Sequence, residues 1–198
     1  MRKIAIIGMG YVGTVTATCL AWLGHDVTGL EVDPQRVGQL QAGQVPFYEP
    51  GLAEMLTAVM RTERLRFTSD PRKALSEAEI VFLCVGTPPG VGGLPNLSQV
   101  EAAARSVATY LRDEVVLVNK STVPVGAGNW VRTLVEESLP RFDRPRFSVV
   151  SNPEFLRQGS AINDFLYPDR IVLGGDDVAC AEVALLYSRI LTQNFEGG

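Results

Sequence analysis

The chain has 198 residues, a formal net charge of −4 and 46% hydrophobic residues, which is the composition of an ordinary globular protein. The negative balance argues against a general nucleic-acid surface and against a polybasic membrane surface. The apolar run after Lys3 is too short for a signal peptide or a membrane span. The three cysteines form no CxxC pair or metal-ligand spacing, so the sequence favours a reducing cytoplasm and indicates no metal site.

Short β-branched runs alternate with amphipathic stretches along the chain. In chain order, the sequence predicts strand 3–7, helix 13–23, strand 26–31, helix 34–42, helix 48–60, strand 65–67, a helix start at 70–71, strand 79–85, helix 97–112, strand 114–121, helix 128–139, strand 146–151, strand 170–175 and a last helix from about residue 178. This alternation is typical of an α/β fold of the Rossmann type, a doubly wound, mainly parallel sheet with helices on both faces. No linker or repeat interrupts it, so one domain is expected over residues 1–198.

The strongest local motif is "GMGYVG" at residues 8–13, which follows the first strand and opens the first helix. Gly8 permits a tight turn, Gly10 lets the backbone approach a pyrophosphate, and Gly13 lets the helix pack closely on the strand. The helix N-terminus adds N–H groups and the positive end of the helix dipole. We therefore expect a dinucleotide cofactor at this loop, with Tyr11 and Val12 among its contacts.

Acidic residues end the second strand, about 20 residues beyond the glycines, where a dinucleotide fold places a ribose-binding carboxylate. Glu31 is expected to face the ribose hydroxyls, whereas Asp33, which precedes Pro34, is expected to cap the next helix. A carboxylate at the ribose repels a 2′-phosphate, so NAD is predicted rather than NADP. Arg36, one helical turn on, either flanks the adenosine or is simply solvated.

Loops at the carboxyl ends of the remaining strands are rich in polar and glycine residues, which is where a doubly wound sheet binds its ligands. Six segments, "GMGYVG", "YEPGL", "VGTP", "KSTVPVG", "NPEFLRQGSAI" and "YPDRIVLGG", occur in an order that resembles the nucleotide-sugar dehydrogenases, in particular their UDP-glucose 6-dehydrogenase branch. The resemblance implies two NAD-dependent oxidations of the primary alcohol of a UDP-sugar to a carboxylate, through intermediates bound to a cysteine. It also implies a cytoplasmic enzyme that is a homodimer or a larger homo-oligomer at full length.

The resemblance also implies roles for individual residues. Besides the residues of the glycine loop, Glu31 and Arg36, it places the following against the cofactor: Val85, Gly86, Thr87, Pro88, Ser121, Thr122 and Gln158. Thr122 would also lie near the reacting carbon and is counted as catalytic, with Glu154, which would manage water and protons during thioester hydrolysis. Glu154, Phe155, Leu156 and Arg157 would contact the substrate. Gln158 stands where the family usually has a second glutamate, and a glutamine cannot carry a proton or a negative charge.

The family's catalytic cysteine motif, its central helical domain and its C-terminal nucleotide-sugar domain are absent from these residues, so the chain is expected to be an inactive NAD-binding domain. Cys19 and Cys180 are expected to pack inside helices, and Cys84 is a weak candidate for a nucleophile. His25 is expected at a surface turn, and Lys120 either contacts a phosphate or is structural. The alternatives are a GDP-mannose or UDP-N-acetylhexosamine dehydrogenase domain, or a non-catalytic NAD-binding regulatory module.

Overall fold

The structure, a computed structural model, describes residues 1–191 apart from 91, 93, 125, 141, 143, 144 and the side chain at 127. The end of the predicted single domain, residues 192–198, thus lies outside the described residues. In chain order the elements are β1 (Lys3–Ile7), α1 (Tyr11–Trp22), β2 (Asp26–Leu30), α2 (Pro34–Gln41), α3 (Leu52–Arg61), β3 (Leu65–Thr68), α4 (Pro71–Leu75), β4 (Ile80–Leu83), α5 (Ser98–Tyr110), β5 (Val115–Asn119), α6 (Ala127–Ser138), β6 (Phe147–Ser151), α7 (Ala161–Leu166), β7 (Gly174–Gly175), α8 (Asp177–Leu186) and α9 (Ser188–Leu191).

The described strands form one sheet in the order β3-β2-β1-β4-β5-β6-β7. All neighbouring pairs are parallel except β6 with β7, which is antiparallel. The chain runs outward from β1 through β2 to β3 and then crosses to the other side of β1 to start β4. The two halves of the sheet therefore diverge between β1 and β4, which confirms the predicted doubly wound fold.

Both faces of the sheet are buried, as expected for a parallel sheet covered by helices. In β1, Ile4 and Ile6 point into the core on the side of α1, α3 and α8, whereas Ala5 and Ile7 point into the core on the side of α4, α5 and α6. This explains why the strand sequences read as continuous apolar runs instead of alternating patterns.

Two predicted helix starts are confirmed by their caps. The carboxylate of Asp33 accepts a hydrogen bond from the Gln35 amide at 2.9 Å, and that of Asp70 accepts one from the Arg72 amide at 2.9 Å. Each cap is followed by proline at the first helical position. Such a cap stabilises a helix by about 1 kcal/mol.

The predicted strand 170–175 is wrong over most of its length, because only Gly174–Gly175 pair with β6. Ile171 and Leu173 pack against the core without joining the sheet, and the Val172 carbonyl accepts a hydrogen bond from the Asn152 side chain at 3.0 Å. A side-chain amide thus takes the place of a strand partner.

The predicted helix 48–60 begins later, at Leu52. Pro50 disfavours helical geometry at Glu49, and Gly51 has a left-handed φ of +76°. Residues 48–50 are consequently irregular.

The short helix α7 forms inside the segment that follows β6, where the sequence predicted no helix.

None of the described helices combines the length and the apolar character needed to cross a lipid bilayer.

Candidate functional site

The loops that carry the predicted site residues follow β1, β2, β4, β5 and β6, whose carboxyl ends lie side by side in the sheet. These loops flank the point between β1 and β4 where the sheet changes direction. In open α/β sheets this crevice is the ordinary place for a ligand.

The three glycines of the loop 8–13 meet different steric requirements. Gly8 has a φ of +92°, and a Cβ there would lie 2.9 Å from the Cys84 carbonyl oxygen. A Cβ on Gly13 would lie 1.8 Å from the Gly8 carbonyl oxygen. A Cβ on Gly10 would meet no atom within 4 Å, so this face of the loop is open. The loop is therefore closed by packing at Gly8 and Gly13 and accessible to a ligand at Gly10.

Tyr11 and Val12 begin helix α1 directly after Gly10. The first N–H groups of a helix have no partner within the helix and favour an anion such as a pyrophosphate. The space beside Gly10 and these N–H groups together fit the phosphates of a dinucleotide.

Glu31 lies immediately after β2 and is buried, with 6% of its surface exposed. Its Oε2 accepts a hydrogen bond from the Met9 amide at 3.0 Å, and its Oε1 accepts one from the Asp33 amide at 3.1 Å. Because a carboxylate has about four acceptor positions, it can still accept bonds from ribose hydroxyls. The predicted ribose-binding acid is thus held against the glycine loop.

Arg36 contacts Glu31, with its Nη1 3.4 Å from Oε2. Its side chain remains 40% exposed. The sequence predicted that Arg36 would either flank the adenosine or be solvated, and it did not predict this ion pair. The pair forms because the first turn of α2 packs beside the end of β2.

The loop after β4 contains Val85, Gly86, Thr87 and Pro88, which range from half-buried to exposed. Ser121, two residues after β5, donates a hydrogen bond from its hydroxyl to the Val85 carbonyl at 2.8 Å. The structure thus brings this loop and Ser121 together. Thr122, the next residue, is exposed, as is Gln158 in the segment after β6.

None of the three cysteines has the environment of a reactive thiolate. Burial raises the pKa of the Cys84 thiol to about 12, and it raises the pKa of Cys19 still further. Cys180 is half-buried in α8, and its pKa is also raised, mainly by burial. A nucleophilic cysteine needs a lowered pKa, so the structure disfavours Cys84 as a nucleophile.

Behind the loops after β5 and β6 lies a buried polar cluster formed by Lys120, Asn152 and Tyr187. The Asn152 Oδ1 accepts hydrogen bonds from Lys120 Nζ at 3.2 Å and from the Tyr187 hydroxyl at 3.0 Å. Burial lowers the pKa of Lys120. Lys120 therefore has a structural partner, and sequence reasoning missed both Asn152 and Tyr187. The only local signal was a polar residue before Pro153 at the end of a strand.

A cavity of about 510 Å³ opens beside this cluster. Its lining residues are Lys120, Asn152, Pro153, Phe155, Leu156, Arg157, Asn163, Asp164, Phe165, Tyr167, Pro168, Asp169, Arg170, Ile171 and Tyr187. The predicted substrate residues Phe155, Leu156 and Arg157 thus share one cavity. Glu154 and Thr122 are not among the described residues that line this cavity.

Glu154 bonds within its own turn, where its Oε2 accepts the Leu156 amide at 2.7 Å. Arg157 is held by Asp164, whose Oδ1 lies 2.6 Å from Arg157 Nη2 and whose Oδ2 accepts the Arg157 amide at 2.8 Å. The guanidinium and this amide hold the pKa of Asp164 at about 2. The side chain of Arg157 is nevertheless 76% exposed, so its outer edge remains accessible to a ligand.

His25 is not at the surface, contrary to the sequence prediction. It is 8% exposed, its Nδ1 accepts the Arg2 amide at 3.3 Å, and its Nε2 lies 3.1 Å from the Leu186 carbonyl oxygen. Burial lowers its pKa, and the nearby cations, the amino terminus, Arg189 and Arg2, act in the same direction. The imidazole ring is buried by α8, which lies far away in the sequence, so the residues around His25 could not predict its burial.

Glu49 is the second buried acid near the site, and sequence reasoning missed it. It is 5% exposed and accepts a hydrogen bond from the Tyr11 hydroxyl at 2.6 Å. Its position before Pro50, in the segment "YEPGL", was the available signal. Within the part of the chain that the structure describes, no group of three His, Cys, Asp or Glu side chains is arranged to hold a metal ion.

Comparisons with known proteins identify the family and the fold. Residues 2–191 match the model of the UDP-glucose/GDP-mannose dehydrogenase family, NAD binding domain. A curated relative, the UDP-glucose 6-dehydrogenase of Rhizobium meliloti (strain 1021), is 47% identical over 88% of this chain and 39% of its own length.

Solved structures give the same result. The UDP-glucose dehydrogenase of Pyrobaculum islandicum is 42% identical, with a TM-score of 0.89 over 96% of this chain and 44% of that one. The GDP-mannose dehydrogenase of Pseudomonas aeruginosa is 34% identical, with a TM-score of 0.88 over 94% of this chain and 44% of that one. The chain thus spans less than half the length of these relatives.

Proposed function

Since this chain belongs to the UDP-glucose/GDP-mannose dehydrogenase family as an NAD-binding domain, we propose that it forms the cofactor half of a UDP-glucose 6-dehydrogenase. The longer enzyme would oxidise the primary alcohol of UDP-glucose to a carboxylate in two NAD-dependent steps. The observation that carries this proposal is the direct contact between the two ligand regions: the Tyr11 hydroxyl, in the glycine loop, lies 3.3 Å from the carbonyl oxygen of Arg157, beside the cavity.

At the cofactor site, the residues of this chain would bind NAD and set its orientation. The first N–H groups of α1 hold the pyrophosphate, and Glu31 accepts hydrogen bonds from the ribose hydroxyls. Bound NAD supplies the hydride acceptor. The loop at Val85 to Pro88, together with Ser121, Thr122 and Gln158, would limit the space around the nicotinamide.

At the substrate, Phe155 and Leu156 contribute apolar surface to the cavity, and Arg157 contributes a cation suited to a diphosphate. Thr122 lies in the loop after β5 and would contact the reacting end of the sugar. Glu154 would position water and accept its proton during hydrolysis. Gln158 can contribute hydrogen bonds but no proton transfer.

The choice of cofactor is tested by calorimetric titration of this chain with NAD and with NADP. We expect NAD to bind more tightly, and Glu31→Ala to reduce the preference, because the carboxylate that repels a 2′-phosphate is gone. Asp33→Asn is the matched control, since it removes a negative charge two residues away and asparagine is as good a helix cap as aspartate. Equal or tighter NADP binding by the wild-type chain would contradict the assignment of Glu31.

The substrate is tested by following NADH formation in the longer enzyme with UDP-glucose, GDP-mannose and a UDP-N-acetylhexosamine. UDP-glucose is expected to give the highest kcat/KM. The similarity to the GDP-mannose dehydrogenase makes that sugar nucleotide the second candidate. Binding of NAD with no turnover of any of the three would favour a regulatory module instead. We further propose a cytoplasmic enzyme that assembles as a homo-oligomer, which light scattering of the longer protein would test.

The role of Glu154 is tested with Glu154→Gln in the longer enzyme. This change keeps the size and the hydrogen bond to Leu156 but removes the base. The first hydride transfer is expected to survive while hydrolysis slows, with a burst of NADH and a covalent adduct visible by mass spectrometry. General-base catalysis contributes about 10²–10⁴-fold, so the slow phase should be well resolved. If Glu154 only caps its turn, the variant loses stability or affinity and no adduct accumulates.

A further inference from the structure

Glu49 is a buried carboxylate that no step of the proposed function uses. It lies in the irregular segment between α2 and α3 and accepts three hydrogen bonds. Its Oε2 accepts the Tyr11 hydroxyl at 2.6 Å and the Gly159 amide at 2.8 Å, and its Oε1 accepts the Ala161 amide at 2.8 Å. Hydrogen bonds to an ionised acceptor are roughly twice as strong as neutral ones, so these contacts hold their donors firmly.

The donors to Glu49 come from two separate ligand regions. Tyr11 is the first residue of α1 and directly follows the open face of the glycine loop at Gly10. Gly159 and Ala161 lie 110 and 112 residues from Glu49 along the chain, between the two stretches 155–157 and 163–165 that line the cavity. One carboxylate therefore joins the first turn of α1 to the segment 157–161.

Tyr11 has little freedom to move independently of this carboxylate. Its ring packs on Phe47 with the ring centres 5.0 Å apart, and its hydroxyl also lies 3.3 Å from the Arg157 carbonyl oxygen. Burial and the hydrogen bond to Glu49 both raise the pKa of Tyr11, so the hydroxyl stays protonated and remains a donor. A displacement of α1 at its first turn is thus passed to residues 157–161.

We propose that Glu49 is a positioning residue that couples cofactor binding to substrate binding, by fixing residues 157–161 to the first turn of α1. The inference rests on the proposed function, because it assigns the cofactor to the glycine loop and the substrate to the cavity. A pyrophosphate bound at α1 restrains Tyr11, and a sugar nucleotide bound at residues 155–157 restrains the other end of the same network. Because the network is held as one unit, a position of α1 that suits the cofactor also sets the position of residues 157–161 for the substrate, and the coupling is reciprocal.

The experiment measures this coupling directly in the longer enzyme. NADH binding is titrated by fluorescence with and without saturating UDP-glucose, and because NADH cannot accept a hydride, no turnover occurs. The ratio of the two dissociation constants is the coupling factor, for which site-to-site coupling in proteins predicts about 5–150-fold in favour of binding. In Glu49→Gln at least one of the three donors loses its acceptor oxygen, so the coupling factor should fall at least about 5-fold or reach 1. The affinity for NADH without UDP-glucose should change by a smaller factor.

Glu54→Gln is the matched control, because it removes the same charge from an exposed position in the first turn of α3. It should keep the wild-type coupling factor. If Glu49→Gln does not fold, Tyr11→Phe removes a single hydroxyl, leaves both amide bonds to Glu49, and should also lower the factor.

An unchanged coupling factor in a folded Glu49→Gln or Tyr11→Phe variant would overturn the proposal, as would a wild-type factor of 1. These results differ from a failure of the proposed function. In that case wild-type enzyme would bind NADH but would oxidise no UDP-glucose, whereas failure of the coupling alone leaves wild-type turnover of UDP-glucose intact.

Discussion

The two ligand regions are held in shape by different kinds of interaction. The glycine loop at residues 8–13 depends on the absence of atoms, because a Cβ at Gly8 or Gly13 would overlap the backbone around it. The segment 152–171 depends on the presence of polar partners, since Asn152 and Asp164 hold it through hydrogen bonds to distant residues and to its own backbone.

This difference predicts which substitutions should destabilise each region. An added methyl group should lower the stability of the glycine loop where the backbone leaves no room for it, at Gly8 or Gly13, and should be tolerated at Gly10. The segment after β6 should lose stability when a polar partner is removed, and the loss in the free energy of unfolding should be larger the more deeply that partner is buried.

The largest effect is expected for Gly13→Ala. The new Cβ would lie 1.8 Å from the Gly8 carbonyl oxygen, so the helix and the loop must separate. Overpacking of this kind lowers the free energy of unfolding by about 3 kcal/mol or more. Urea denaturation followed by circular dichroism measures it.

Gly10→Ala is the control for this prediction, because its Cβ meets no atom within 4 Å and its φ of −73° suits alanine. Its stability should stay within about 1 kcal/mol of wild type, while NAD binding weakens. Equal destabilisation by the two substitutions would show that packing does not distinguish these glycines.

A smaller loss is expected for Asn152→Leu. Lys120 Nζ and the Tyr187 hydroxyl would both be left buried without the Oδ1 acceptor. An unsatisfied buried donor costs about 1–3 kcal/mol, so the free energy of unfolding should fall by about 2 kcal/mol or more. Asn163→Leu, at an exposed position of α7, should change it by less than about 0.5 kcal/mol. Similar values for the two variants would contradict the importance of the buried cluster.

The next effect is a pH dependence that arises from His25, outside both regions. The folded state lowers its pKa, so below pH 6.5 the unfolded chain binds more protons and stability falls as the pH falls. The free energy of unfolding should drop by up to about 1 kcal/mol between pH 7 and 5.5. Urea denaturation at the two pH values measures it, and His25→Gln should lose this part of the dependence. A variant with the wild-type slope would place the titrating group elsewhere.

The smallest effect is expected for Asp164→Asn, which weakens the ion pair between the Arg157 side chain, 76% exposed, and the Asp164 side chain, 9% exposed. Because the guanidinium is largely solvated, the pair contributes only about 0.5 kcal/mol, and overall stability should barely change. The Arg157 amide donates to Asp164 Oδ2, so its hydrogen exchange should become faster. Asp169→Asn, at an exposed position, should leave this amide unchanged. Exchange that stays slow in Asp164→Asn would mean that other contacts order the segment.

Much of the fold follows from short-range patterns in the sequence. The apolar runs predicted β1, β2 and β4, and Asp33-Pro34 predicted the start of α2. The spacing of the glycines predicted a tight loop, and the added Cβ distances supply its steric reason. Most of these features are local because they depend on backbone dihedral angles and on the side chains of a few consecutive residues. Gly8 is the exception, since a Cβ there would meet the carbonyl oxygen of Cys84, which follows β4.

The tertiary structure decided which polar side chains are buried and what they bond. Residues 170–173 carry a strand pattern, yet they lie outside the sheet, and the Val172 carbonyl accepts a hydrogen bond from the Asn152 side chain instead of from a strand. His25 looks like a turn residue and is covered by α8, 161 residues away along the chain. Glu49 gains its partners from α1 and from residues 159–161. The sequence by itself determined most of the strands and the glycine motif, because local backbone geometry is set by neighbours in the chain. The strand order, burial and hydrogen bonding were decided only when distant segments packed together.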